Sequence, residues 1–168
     1  MSKVIDANVF KAYYHLLFNK PLVDLTGDPT HLFASTYQIY FDDSNHIKNE
    51  WEALVEREWF NSWLVEQIQN DKIRVIPIKD NCRDLKRRLE KDCGFPKSAD
   101  FWYIKTTKSS LEYANNSILV SEDIDFFDPT KKRSVSGAAR KQLLEKTNNP
   151  IQRMCARESI VIRCVSTI

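Results

Sequence analysis

Short apolar runs alternate with amphipathic stretches along this chain, and that alternation limits the fold more than any other feature. Residues 3–6, 36–41, 73–78, 118–120 and 159–165 are brief, apolar and rich in β-branched or aromatic side chains, which predicts strands. Between them lie stretches with helical spacing. Residues 8–18 predict a helix with Asn8 as N-cap. Residues 44–57 place Ile47, Trp51, Leu54 and Val55 on one face, and a second helix follows over 58–69. Residues 81–92, 98–108 and 135–147 predict further helices, with Ser98 as a candidate N-cap. The stretch 20–34, with Pro21, Gly27 and Pro29, reads as an irregular excursion or a short helix. Strands alternating with helices predict an α/β fold, with a mainly parallel sheet covered on both faces.

Size and composition set bounds on this reading. The 168 residues suggest one domain, long enough to bury a substantial core. With only Gly27, Gly94 and Gly137, a glycine-rich phosphate loop is excluded, and P-loop and dinucleotide folds go with it. Lys plus Arg number 25 against 23 for Asp plus Glu, a balance too even to announce a nucleic-acid binder. Cys82, Cys93, Cys155 and Cys164 form no C-x-x-C pair, and no histidine stands at zinc spacing from them. No apolar stretch approaches the roughly 18 residues of a membrane span, and no signal peptide is evident. A cytoplasmic protein with reduced cysteines is expected.

The chemistry of the chain points to its acids. Asp6 closes the first strand, Asp123 follows the fourth, and Glu50 and Asp100 lie in helical segments that come after strands. Acids gathered beyond the carboxyl ends of parallel strands share one crevice. Such carboxylates repel one another unless a cation neutralises them. Each also has a plainer reading. Asp6 can cap a helix, Glu50 can be solvated, Asp100 can favour a helix dipole, and Asp123 and Asp125 can be turn residues. Asp42, Asp43 and Glu122 read as solvated, and His46 as a surface residue. Lys131, Lys132 and Arg133 follow the last acid directly, where they could flank a cleft and hold phosphates. The runs Lys86–Arg88 and Arg140–Lys141 are further basic segments. Tyr40, Trp102 and Tyr103 can stack bases or fill the core, and Trp59 with Trp63 reads as packing or a partner interface.

These motifs carry a resemblance. Val4-Ile5-Asp6-Ala7-Asn8, Glu50 within Ile47-Lys48-Asn49-Glu50-Trp51, Ser98-Ala99-Asp100-Phe101-Trp102, and Ile118 to Phe126 are similar in order and spacing to the four motifs of PIN domains. These are small nucleases best known as toxins of prokaryotic toxin–antitoxin pairs. The match covers about residues 3–127. The chain departs from the family pattern at Lys105-Thr106-Thr107, where small residues are usual, and residues 20–34 and the tail after 128 are poorly matched. The resemblance implies a three-layer α/β/α sandwich and a Mg²⁺- or Mn²⁺-dependent endoribonuclease. It implies that Asp6, Glu50, Asp100 and Asp123 are catalytic and bind metal, with Asp125 replacing or supplementing Asp123. Asn8 and Ser121 would orient the carboxylates. It further implies an RNA substrate, a homodimer and an antitoxin partner. Two rival readings stay open: a silent PIN-like module for binding or assembly, and a nuclease whose target is DNA.

Overall fold

The computed structural model describes residues 2–34, 37–97 and 101–168. Five strands form one sheet in the order β3-β2-β1-β4-β5, and every neighbouring pair is parallel. They are β1 (Ser2–Ile5), β2 (Gln38–Asp42), β3 (Ile73–Ile76), β4 (Ser117–Val120) and β5 (Val161–Arg163). The helices are α1 (Ala7–Leu17), α2 (Thr30–Ala34), α3 (His46–Ala53), α4 (Arg57–Gln69), α5 (Arg83–Cys93), α6 (Trp102–Ser110), α7 (Gly137–Glu145) and α8 (Pro150–Ala156). With this strand order, crossovers of the usual right hand would put the helices of the β1-to-β3 half on one face and those of the second half on the other. In agreement, α1 and α4 both pack against α3, while α5 packs against α8. The arrangement is α/β and compatible with a three-layer sandwich.

The expected strands and helices are present with shifted ends. Helix α1 starts one residue before the expected 8–18, because Asp6 and not Asn8 is its N-cap: the Asp6 carboxylate accepts a bond from the backbone N–H of Asn8 at 3.3 Å. The 44–57 segment stops at Ala53, and Glu56 starts α4 by accepting from the N–H groups of Glu58 and Trp59. Pro77 falls just past the end of edge strand β3, where its missing N–H costs nothing. The excursion at 20–34 contains α2, and the tail contains α8, a helix the sequence did not lead us to expect. The expected N-cap Ser98 lies outside the described residues.

The core runs from Val4 on β1 to Val165 beyond β5. On the α1 face it is aromatic. Phe10 stacks on Trp51 with ring centres 4.1 Å apart, and Trp59 stacks on Trp63 at 5.7 Å while both lie against Phe10. The tryptophan pair is thus packing within the chain. The four cysteines are buried and free, and burial pushes the thiols of Cys82 and Cys155 up to about 11 and about 12. All four pack as small apolar side chains, and burial also pushes the Cys93 thiol up. Among the described residues no helix is long and apolar enough to cross a membrane.

Candidate functional site

The strand order reverses between β1 and β4. Chain connections run away from that line on both sides, so a crevice opens beyond the carboxyl ends of these two strands. The register pairs Ile5 with Val120, so the residues that follow, Asp6 and Ser121, leave the sheet side by side. The Asp6 N–H still bonds the Val120 carbonyl at 2.9 Å. Ser121 donates its hydroxyl to Asp6 Oδ2 at 2.6 Å and accepts the N–H of Asp123 at 3.0 Å. One buried serine therefore ties the first acid to the last. Its hydroxyl holds the Asp6 carboxylate. Asn8 does not do so with its side chain, which is exposed; only its backbone N–H reaches Asp6.

Glu50 arrives from α3, the helix after β2. Its neighbour Trp51 is buried and donates its indole N–H to the Ile5 carbonyl at 3.1 Å, which fixes α3 against the end of β1. Tyr103, buried on α6, donates its hydroxyl to Glu50 Oε2 at 2.5 Å and accepts the Ala7 N–H at 3.0 Å. Burial, followed by the negative charges of Asp6 and Glu50, pushes the Tyr103 phenol well above its ordinary value. The phenol stays protonated and remains a donor. Tyr103 is the positioning residue that sequence reasoning left undecided between stacking and core. A tyrosine three residues past a motif acid offers no further signal. Asp100 itself lies outside the described residues.

Beyond Ser121, Asp123 caps a 3₁₀ turn at Ile124–Phe126 by accepting the Asp125 N–H at 3.0 Å. Asp125 is the more buried of the two. Its Oδ2 receives Lys132 at 2.7 Å, while Oδ1 is buried with no hydrogen-bond partner. The basic run is split accordingly. Lys131 and Arg133 are exposed, but Lys132 is engaged with an acid, and that contact raises its own affinity for a proton. A cleft of about 340 Å³ opens beside these groups, lined among others by Asn8, Leu25, Asp123, Lys132, Val135 and Arg140. A larger hollow of about 780 Å³ lies around Ser2, Gln38 and Tyr113, at the opposite ends of the strands from the acids. The smaller cleft is the one that borders Asp123 and Lys132, and neither Asp6, Glu50 nor Asp125 lines it.

Several residues expected to be solvated are not. Asp42 is buried and caps α3, accepting from the N–H groups of His46 and Ile47 at 3.0 and 2.9 Å. His46 is half-buried; its ring pairs with Asp42 and stacks on Trp102 at 3.5 Å. Glu122 is buried, and its carboxylate accepts from the Thr26 N–H, the Thr26 hydroxyl and the Val165 N–H at 3.0, 2.5 and 2.8 Å. Arg140 donates to the Glu122 carbonyl. Asp43 is exposed as expected. Tyr40 and Tyr103 are too buried to stack bases, and one face of Trp102 is covered by His46.

Among the described residues no three histidine, cysteine or acidic side chains converge closely enough to form a ready-made metal cage. A hard cation such as Mg²⁺ does not require one. It keeps several waters and takes one or two carboxylates directly. Asp6 and Glu50 are held at the crevice by Ser121 and Tyr103, and Asp125, in the loop that Ser121 ties to Asp6, carries a buried oxygen with no hydrogen-bond partner; these are donors of the right chemistry. Comparison with protein-family models, with curated proteins and with solved structures finds no match.

Proposed function

We propose that this chain is a divalent-metal-dependent nuclease that hydrolyses RNA phosphodiester bonds. The observation that carries the reading is the Ser121–Asp6 hydrogen bond across the β1/β4 crevice, with Glu50 brought to the same place through Tyr103. In this reading Asp6 and Glu50 hold the ion, with Asp100, Asp123 and Asp125 as further ligands drawn from the PIN resemblance. When bound, Mg²⁺ or Mn²⁺ supplies a water of lowered pKa and relief of charge on the leaving oxygen. The chain does the positioning. Ser121 and the Asn8 N–H each hold one oxygen of Asp6, and Tyr103 holds Glu50, so neither carboxylate has to be ordered when substrate arrives. A toxin role, an antitoxin covering the cleft and a homodimer follow from the resemblance alone.

The test is incubation of purified protein with mixed single-stranded RNA and, separately, DNA, in Mn²⁺, Mg²⁺ or EDTA, beside Asp6→Asn and Asp100→Asn. RNA cutting that needs metal and is lost at least a hundredfold in both variants is expected. DNA cutting alone would move the substrate. A wild type as inert as its variants, with no Mn²⁺ binding, would sink the nuclease in favour of a silent binding module.

A further inference from the structure

Besides Asp6, three buried carboxylates flank the crevice or its supports, and they are satisfied differently. Both oxygens of Glu122 accept bonds from Thr26 and Val165, and both oxygens of Asp42 accept backbone N–H groups at the start of α3. Those two acids are structural, with every oxygen met by a donor fixed in the fold. Asp125 is only 6% exposed, yet its Oδ1 has no donor at all. A buried carboxylate left half-bonded costs stability that a structural role would not require.

Its one side-chain partner is of a different kind. Lys132 reaches Asp125 Oδ2 at 2.7 Å from just past a short 3₁₀ turn at Pro129–Lys131, and its side chain is 55% exposed. A lysine on a mobile four-carbon stem can leave without unpacking anything. Asp123 also acts on the same ammonium. The place where the acids need positive charge is therefore held by a cation that the chain carries itself and can withdraw.

We propose that Lys132 is the built-in counter-cation of this site: its ammonium holds Asp125 until a divalent ion arrives, and the two compete for that carboxylate. The proposal rests on the metal-site reading above. It gives Lys132 a role distinct from the exposed Lys131 and Arg133, and it makes Asp125 a ligand exposed by exchange of one cation for another. The ammonium keeps the acid cluster neutralised in the absence of metal and lowers the affinity for it.

The test is calorimetric titration of the full chain with Mn²⁺, with electron paramagnetic resonance counting bound ions. The proteins are wild type, Lys132→Met, Lys132→Gln, Asp125→Asn, and Lys141→Met, which removes the same charge from α7. Loss of one competing charge at a partly screened site should tighten Mn²⁺ binding about tenfold in both Lys132 variants. Binding should be unchanged in Lys141→Met and weaker in Asp125→Asn. Two Lys132 substitutions guard against a folding defect in either one. Wild-type binding that neither Lys132 variant tightens overturns the proposal and leaves the metal site standing. Absence of Mn²⁺ binding in every protein overturns both.

Discussion

Lys3 has no polar partner in the centre of the sheet. It is fully buried on β1, its ammonium makes no hydrogen bond, and the Tyr37 ring lies 4.0 Å from its nitrogen. The ring face offers some compensation for lost hydration, but burial still pushes the amine down from its usual value to about 8. Below that pH the folded chain carries an ammonium that water would solvate better. Between about pH 8 and 10.5 the unfolded state binds the extra proton, so this penalty fades as pH rises. Lys3→Met should therefore raise unfolding free energy by about 2 kcal/mol at pH 7. Urea melts at pH 7 and pH 10 should show the gain shrinking at the higher pH; a gain that grew with pH would reverse the argument. The residue scale is also where the sequence was least informative. Asp6 and Glu50 could be singled out as acids at a strand end and in the helix after a strand, and Ser121 only through the resemblance to PIN domains. Tyr103 could not, because a tyrosine in a core and one holding a carboxylate look the same until the partner is seen. Lys3 was read as part of a strand, but nothing in a run of Ser-Lys-Val-Ile says that the lysine faces inward.

Among the elements, the segment before α2 is joined to the end of the sheet through a buried carboxylate. Glu122 joins Thr26 to Val165, and the Ser166 N–H bonds the Thr26 hydroxyl at 3.1 Å, so the residues near 26 are held against the end of the sheet, where Leu25 also packs on the core. Glu122→Ala leaves the Thr26 and Val165 N–H groups buried without acceptors. It should cost about 3 kcal/mol. Limited proteolysis should then cut between residues 19 and 29 well before the rest of the chain; equal protection in wild type and variant would show that the anchor is elsewhere. The element types could be read from periodicity, and their ends could not. The start of α1 depends on which of Asp6 and Asn8 turns its side chain back onto the helix. Helix α8 was missed because Pro150 was not read as a first helical residue, although Gln152 accepts the Asn149 N–H at 2.9 Å, a helix-start contact that the sequence contained.

At the scale of the whole molecule, the tail that resembles nothing is part of the core. Leu144, Ile151, Cys155, Ile160, Ile162 and Val165 are buried together with residues of β1 and β4, and β5 pairs with β4 along its length. A chain cut after residue 127 would keep the recognisable motifs and lose one edge of its sheet. It should be insoluble or unfolded by circular dichroism, whereas a folded fragment would show the tail to be an accessory. The same arrangement governs when the crevice can form. The Ser121 N–H bonds the Arg163 carbonyl at 3.0 Å, and Val165 holds Glu122, so the loop that carries Ser121 and Asp123 is pinned from behind by β5. On the ribosome Asp6 and Glu50 emerge more than a hundred residues before the strand that fixes their partner loop. A nascent chain thus carries its acids long before they can be brought into register, and the crevice is completed only when the last strand has been made.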